Sequence, residues 1–266
     1  MNETLTRTLS GVLYVIILIS ASLYVNSFLG LFGLFLLIMV IEFCGLVQLP
    51  KLFPIGVAVF TYVLFSFFIK NNIIDYILLA ITLLIAGKAT LFLFERKQNT
   101  LSFFSKYLYL MGYIIFPLIF ITRLPFVDNT FNPKIIISIF ILIWTNDTMA
   151  FVVGKSIGKR KLFERVSPKK TIEGFLGGAV FAVLFSIIIA KYYIFQPRIH
   201  WIIIALIVGF LGTIGDLIES KFKRMAGVKD SGKIMPGHGG ILDRLDSIIF
   251  VGPFVFLLYQ ILNYVS

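Results

Sequence analysis

Long apolar stretches alternate with short polar segments along almost the whole chain. Most of these stretches approach the roughly 20 residues that an α-helix needs to cross the hydrocarbon core of a bilayer. Nine can be distinguished, and the first two are separated only by a tight turn near Asn26. The pattern therefore predicts an all-α, polytopic integral membrane protein. The nine predicted spans are residues 9–25, 28–47, 53–69, 73–94, 106–122, 134–154, 172–195, 199–220 and 246–265.

The composition agrees with a membrane protein. Of the 266 residues, 59% are hydrophobic and 14% are charged, and the mean hydropathy is +0.98. A soluble domain carries about 25% charged residues. The single cysteine, Cys44, excludes an intramolecular disulfide and a zinc site built on cysteines.

The distribution of the basic residues predicts the orientation in the membrane. With the N-terminus in the cytoplasm, nineteen lysines and arginines fall on the inner side and five on the outer side. Such a bias is typical of the cytoplasmic loops of membrane proteins. We therefore expect a protein of the cytoplasmic membrane with inner loops at 155–171 and 221–245 and its C-terminus outside. Orientation accounts for the net charge of +11, so nucleic acid is not expected as a partner.

Charge is concentrated in the second half of the chain. The segment 215–247 holds five of the thirteen carboxylates and six basic residues between two apolar stretches. A dense group of both charge signs at a membrane is costly unless it binds something. We therefore divide the chain into an N-terminal scaffold of helices, residues 1–130, and a C-terminal region, residues 131–266, that carries the candidate site.

The carboxylates of this segment have the chemistry of a metal site. Asp243 and Asp246 are three residues apart, so a helix that begins the last span would present both on one face. Together with Asp216 they offer hard oxygen ligands, which suit Mg²⁺ held jointly with a phosphorylated substrate. The sequence predicts these three residues as metal ligands, for one Mg²⁺ or for two cations.

Basic residues and glycines of the same segment fit a phosphate-binding role. Lys223, Arg224 and Lys229 can neutralise phosphate oxygens. The turn at 236–240 contains three glycines, which allow backbone N–H groups to approach an anion closely. A merely solvated charged loop is the simpler alternative, but it does not require this order of residues.

A second basic segment opens the seventh predicted span. Lys169 and Lys170, with the N–H groups of a helix start, can form an anion site at the membrane surface. Alternatively, the lysines anchor the inner end of the span and Ser167 or Thr171 caps the helix. Both interpretations stay open at this point.

The C-terminal segment has a specific order of polar residues and glycines: Ser220, Lys223, Arg224, Lys229, Asp230, Ser231, Gly232, Pro236, Gly237, His238, Gly239, Gly240, Asp243, Arg244 and Asp246. This order resembles the signature of the phosphatidate cytidylyltransferases, also called CDP-diacylglycerol synthases. Met235 stands where the family usually has Leu, Ile or Phe, which is an apolar exchange. Two shorter blocks, 147–154 and 167–174, resemble the same family, so the resemblance covers about residues 144–247.

The resemblance implies a nucleotidyltransferase that converts CTP and phosphatidate to CDP-diacylglycerol and pyrophosphate with Mg²⁺ as cofactor. Its partners would be CTP, phosphatidate and the surrounding membrane lipids, and a homodimer stays open. The implied catalytic residues are Asp216, Lys223, Arg224, Asp243 and Asp246. The implied substrate-binding residues are Asp147, Ser167, Lys169, Lys170, Lys229, Asp230, His238, Gly239, Gly240 and Arg244.

The physical demands of this reaction fit the residues present. A phosphate monoester is mostly dianionic at neutral pH because its second pKa is about 6, so the nucleophile needs no general base. The enzyme must position two polyanions and stabilise developing charge, which metal ions and basic side chains do well. CTP comes from the cytoplasm and phosphatidate lies in the bilayer, so we expect the site at the cytoplasmic face.

Three alternatives are kept. A CTP-dependent lipid kinase of the dolichol or phytol kinase type would have to help an alcohol lose its proton. A synthase of the CDP-archaeol type would use the same chemistry on another lipid. A transporter that couples ion movement to intramembrane carboxylates usually shows inverted repeats, whereas the polar groups here gather in one half of the chain.

Glu42 and Asp147 are carboxylates inside predicted spans. An ionisable group in a membrane segment is expensive without a partner, and it therefore indicates a functional or bonded position. Glu42 is either an interfacial or interhelically hydrogen-bonded carboxyl or part of a substrate cavity. Asp147 is expected to line or support the cavity.

Overall fold

The structure, a computed structural model, describes residues 3–69, 71–96, 101–127 and 130–265. Within these ranges nine helices lie where the apolar pattern predicts them, and eight of them are long and apolar enough to cross a membrane. The third, α3, is a shorter apolar helix. The all-α polytopic fold class is therefore confirmed. The helices are α1 Glu3–Ser22, α2 Val25–Val47, α3 Leu52–Phe68, α4 Asn72–Phe94, α5 Phe103–Phe126, α6 Pro133–Ile157, α7 Ile172–Ile194, α8 Arg198–Met225 and α9 Leu242–Val265.

Three residues that entered the prediction of the membrane orientation lie outside the residues that the structure describes. Lys70 and Lys97, which enter the charge count, lie outside the described residues. So does Ser266, which ends the segment predicted to face outside.

A short β-hairpin joins α6 to α7, and the sequence pattern did not predict it. Strand β1, Lys161–Phe163, pairs antiparallel with β2, Ser167–Thr171. Thr171 then caps α7, because its Oγ1 accepts a hydrogen bond from the backbone N–H of Gly174 at 3.1 Å. Most of the predicted inner loop 155–171 is therefore regular secondary structure, and the helix cap is Thr171 rather than Ser167.

Helix α8 continues past its predicted end because Phe222 packs into the protein interior. The ring of Phe222 lies 5.2 to 5.7 Å, between ring centroids, from four aromatic rings of three other helices. These are Phe43 of α2, Phe92 of α4, and Tyr109 and Tyr113 of α5. Burial of an aromatic ring stabilises the structure strongly. The predicted loop 221–245 therefore begins only after Met225.

Two basic side chains, one from α8 and one from the hairpin, donate hydrogen bonds to the C-terminal end of α4. The ammonium group of Lys221 donates hydrogen bonds to the carbonyls of Phe92 and Glu95. Arg165, in the turn of the hairpin, donates to the carbonyl of Leu93 at 3.2 Å. The last carbonyls of a helix lack partners within the helix and carry partial negative charge, which a cation satisfies. Helix α4 of the N-terminal half is thus bonded directly to α8 and the hairpin of the C-terminal half.

Helices α8 and α9 approach each other closely at Gly215. A Cβ atom at this position would lie 2.6 Å from Cβ of Phe250 and 2.7 Å from the backbone oxygen of Asp246. Only glycine allows the two backbones to approach this far. Because Asp216 follows Gly215 directly, this contact brings the carboxyl-bearing positions 216 and 246 together.

We expect Gly215→Ala to destabilise the protein. Alanine favours a helix over glycine by about 1 kcal/mol, but overpacking at a close contact typically costs about 1–3 kcal/mol. The melting temperature of the detergent-solubilised protein should therefore fall. Gly87→Ala in α4 is the control, because a Cβ there would meet no atom within 4 Å. Equal melting temperatures for the two variants would contradict the close contact.

Candidate active site

A cavity of about 600 Å³ lies among α6, the hairpin, α7, α8 and the start of α9. Seven residues predicted from the sequence line it, and so do two further lysines, Lys155 and Lys161. Four carboxylates and five basic side chains therefore surround one space. The charged lining residues are Asp147, Lys155, Lys161, Lys169, Lys170, Asp216, Asp243, Arg244 and Asp246.

Three carboxylates form a cluster at this cavity. Asp216, Glu219 and Asp246 each place one carboxylate oxygen within 4.8 Å of the others. Residues 216 and 219 share a face of α8 because they are three positions apart, and the contact at Gly215 brings α9 against that face. Carboxylate oxygens are the ligands that hard cations such as Mg²⁺ prefer. The cluster can therefore hold a divalent metal ion.

Glu219 is the member of the cluster that sequence reasoning missed. Its side chain is fully buried, and it pairs with Lys223, one helical turn further on. Two spacings in the sequence point to it: three residues after Asp216 and four residues before Lys223. Burial of a carboxylate is costly without a partner, so the pairing with Lys223 is what allows Glu219 to lie inside.

Lys170 and Lys223 compensate the negative charge of the cluster. Lys170 of the hairpin pairs with Asp216. Burial alone would lower the pKa of Lys170, but the neighbouring Asp216 carboxylate raises it above the ordinary value, so the side chain stays protonated at neutral pH. Lys223 pairs with Glu219 and also donates to Oδ1 of Asp243 at 2.6 Å. Lys170 and Lys223 thus connect the hairpin, α8 and α9.

Asp243 lines the cavity and also binds the loop before α9. Besides the bond from Lys223, its Oδ2 accepts hydrogen bonds from the N–H of Ser231 at 2.9 Å and the N–H of Gly240 at 2.7 Å. The hydroxyl of Ser231 lies 2.9 Å from the same oxygen. Asp243 is not part of the three-carboxylate cluster within the described residues. Its role as a metal ligand therefore stays a prediction.

The glycine-rich turn surrounds protein carboxylates. Gly237 and Gly239 adopt positive φ angles of 74° and 84°, which glycine tolerates best. The N–H of Gly240, predicted to face a substrate anion, donates to Asp243 instead. The turn thus has the geometry expected of an anion site, and the anion beside it belongs to the protein.

The remaining predicted residues lie away from the cavity lining. Arg224 is exposed and donates to the carbonyl of Val228 at 2.9 Å, Lys229 and Asp230 are exposed, and Ser167 begins β2. The Nδ1 atom of His238 lies 2.8 Å from the Ser10 hydroxyl. Partial burial, together with the positive charges of Arg244 and Arg7, lowers the pKa of His238, which favours the neutral ring. The substrate contacts of these residues stay predictions.

Sequence comparison identifies the group of proteins to which this site belongs. A model of the cytidylyltransferase family matches residues 4–262. The chain belongs to the cytidylyltransferase family. The family indicated by the C-terminal signature is thereby confirmed.

Individual relatives within the cytidylyltransferase family are similar over part of the chain. It is 48% identical over 126 residues to the phosphatidate cytidylyltransferase of Bacillus subtilis (strain 168), which is 46% of each protein. It is 46% identical over 121 residues to that of Staphylococcus haemolyticus (strain JCSC1435), covering 45% of this chain and 46% of the relative. The chain spans about half the length of the curated relatives that it matches.

We expect Lys223→Met to destabilise the protein strongly. Removing one partner from a buried ion pair typically costs about 3–5 kcal/mol because a buried charge is left uncompensated. The melting temperature in detergent should fall, and adding Glu219→Gln should restore part of the loss.

Lys229→Met serves as the matched control because Lys229 is exposed. If Lys223→Met melts at the same temperature as Lys229→Met, the pairing does not stabilise the fold.

Proposed function

We propose that the protein is a phosphatidate cytidylyltransferase that forms CDP-diacylglycerol and pyrophosphate from CTP and phosphatidate. In this reaction a phosphate oxygen of phosphatidate forms a bond to the α-phosphorus of CTP. The bond between the α-phosphorus and the bridging oxygen to the β-phosphorus breaks, and pyrophosphate leaves with that oxygen. Family membership and the names of the relatives support the proposal.

The observation that carries the proposal is the charge arrangement of the cavity. Carboxylates from α6, α8 and α9 line a single space of about 600 Å³ together with basic side chains from α6, the hairpin and α9. Two substrates that both carry phosphate groups need cationic contacts, and a metal ion needs the carboxylates. The cavity has both sets of groups within reach of one another.

The donor set fits Mg²⁺. Asp216, Glu219 and Asp246 supply hard oxygen atoms close together, and they are the residues that would hold the ion. When bound, Mg²⁺ supplies charge neutralisation and polarisation of phosphoryl oxygens. Asp243 is the fourth candidate, as the sequence predicts.

The side chains of the protein position the substrates and stabilise charge. Lys155, Lys161, Lys169 and Arg244 line the cavity and bind the phosphates of CTP and phosphatidate. Lys170 orients the Asp216 carboxylate. The phosphate of phosphatidate is already largely deprotonated at neutral pH, so no side chain has to remove a proton. Positioning and electrostatic stabilisation are then the main contributions of the protein to the rate.

The site is proposed to face the cytoplasm. The basic residues around it, in the hairpin and at the end of α8, follow the bias of cytoplasmic segments. CTP reaches the cavity from the cytoplasm and phosphatidate from the inner leaflet. Residues 131–266 form the catalytic region in this proposal, and residues 1–130 form the scaffold.

We expect the purified protein in detergent to release pyrophosphate and form CDP-diacylglycerol from CTP and phosphatidate only when Mg²⁺ is present. Asp246→Asn keeps the size of the side chain but removes a charged ligand. Loss of one contact to the transition state typically lowers the rate about 10²–10³-fold. Lipid and pyrophosphate analysis of the same reactions measures both products.

Glu164→Gln is the control for that assay, because Glu164 is an exposed carboxylate in the turn of the hairpin. Phosphorylation of diacylglycerol with CDP as the other product would instead indicate a lipid kinase. An Asp246→Asn protein that folds and keeps wild-type turnover would rule out the metal assignment.

We expect Lys159→Cys to react with a membrane-impermeant maleimide from the cytoplasmic side and Tyr264→Cys from the outer side. Both positions are exposed, and the native Cys44 is fully buried, so its background labelling should be low. Labelling is measured on intact cells and on inside-out vesicles. Reaction of Tyr264→Cys from the cytoplasmic side would show that the orientation or the number of crossings is wrong.

A further inference from the structure

Glu42 of α2 is a buried carboxylate outside the cavity lining, with only 7% of its surface exposed. Its two oxygens accept hydrogen bonds from the backbone N–H groups of Ile241, at 3.1 Å, and Leu242, at 2.8 Å. The hydroxyl of Ser231 lies 3.1 Å from the second oxygen. Glu42 therefore contacts the loop before α9 and the first residue of that helix.

These contacts satisfy the backbone N–H groups at the start of α9. The first N–H groups of a helix have no partners within the helix and carry partial positive charge. A side chain just before the helix usually accepts from them. Here the residues before Leu242 are Gly240 and Ile241, which have no side-chain acceptor. The carboxylate of Glu42, 199 residues before Ile241, takes that place.

A second carboxylate shares the same loop. Ser231 Oγ lies within hydrogen-bond distance of both Glu42 Oε2 and Asp243 Oδ2. A hydroxyl has one proton, so it donates to one of these carboxylates at a time. Backbone N–H groups satisfy each carboxylate in either case. Ser231 thus connects α2, the loop and α9.

Two glycines of the family signature, Gly232 and Gly240, make room for the side chain of Glu42 because they have no side chain of their own. A Cβ atom at Gly232 or at Gly240 would overlap with Oε1 of Glu42. Neither glycine adopts a positive φ angle, so backbone freedom does not account for either of them. Their lack of a side chain lets the loop close around the carboxylate. The glycines and Glu42 therefore form one packed unit.

We propose that Glu42 is a positioning residue for the catalytic cavity. By holding the first N–H groups of α9, it fixes where that helix begins and how it is rotated about its axis. Helix α9 carries Asp243, Arg244 and Asp246, and Asp246 meets Asp216 and Glu219 in the carboxylate cluster. Glu42 is neither in that cluster nor among the described residues that line the cavity. It therefore acts through α9 and not on the substrates.

The proposal is tested first with Glu42→Gln and Glu42→Ala. Glutamine keeps one acceptor oxygen, but its NH2 group cannot accept a hydrogen bond and would face a backbone N–H. Alanine removes both acceptors. Because a displacement of about 1 Å can cost up to about 10²-fold in rate, we expect kcat to fall in the order wild type, glutamine, alanine. The Mg²⁺ concentration for half-maximal activity should rise, while KM for CTP changes less than kcat. Glu164→Gln is the control, with no change expected.

Gly240→Ala is a second, independent variant, because it crowds Glu42 without removing its charge. It should produce the same lowered kcat and weakened Mg²⁺ response as Glu42→Gln. A role in stability alone would lower the melting temperature but leave kcat and the Mg²⁺ response of the folded protein unchanged. That result would overturn the proposal.

Because the kinetic test rests on the proposed function, hydrogen exchange provides a measurement that does not need activity. Glu42→Gln should speed amide exchange at residues 240–243 and leave exchange in α6 unchanged. Absence of activity in the wild-type protein, with faster exchange at 240–243 in the variant, would refute the proposed function and support the role of Glu42. Unchanged exchange at 240–243 would refute the role of Glu42, whatever the activity.

Discussion

Charge buried between apolar helices must be neutralised within the protein, and this constraint organises the C-terminal half of the chain. An unpaired ionised side chain in such surroundings costs several kcal/mol. Glu219 is tolerated because Lys223 lies one turn away and pairs with it. The same lysine reaches Asp243, and Lys170 compensates Asp216. Each pair joins two structural elements or two turns of one helix, so the pairs that make the charges tolerable also determine the shape of the cavity.

The geometry of the cavity depends on contacts that its own residues do not make. Gly215 sets how closely α8 approaches α9, and Glu42 sets where α9 begins. Lys221 and Arg165 fasten the end of α4 to the same region. The N-terminal helices therefore do more than hold the protein in the lipid. They supply the carboxylate that supports the helix carrying Asp246.

The sequence predicted the features that depend on local pattern. Apolar stretches close to the length of a membrane span indicated the nine helices of the described residues, and the last of them, α9, begins at Leu242, four residues before the predicted start of its span at 246. The continuation of α8 could not be predicted, because it depends on the packing of Phe222 against rings from three other helices. The glycine-rich turn suggested an anion, but not that this anion would be the protein's own Asp243. Nor did it suggest that Glu42, 199 residues before Ile241, would accept from the N–H groups that follow the turn. Glu219 was overlooked because its importance follows from the approach of α9.

The most direct test of the proposed activity is to follow a radioactive phosphate of CTP into lipid. The protein is incubated with Mg²⁺, vesicles that contain phosphatidate, and CTP carrying ³²P at either the α- or the γ-phosphate. We expect label from the α-phosphate to enter the lipid as CDP-diacylglycerol, whereas label from the γ-phosphate should appear only in pyrophosphate. Label from the γ-phosphate in the lipid, or no α-label in it, would show that the protein is not a phosphatidate cytidylyltransferase.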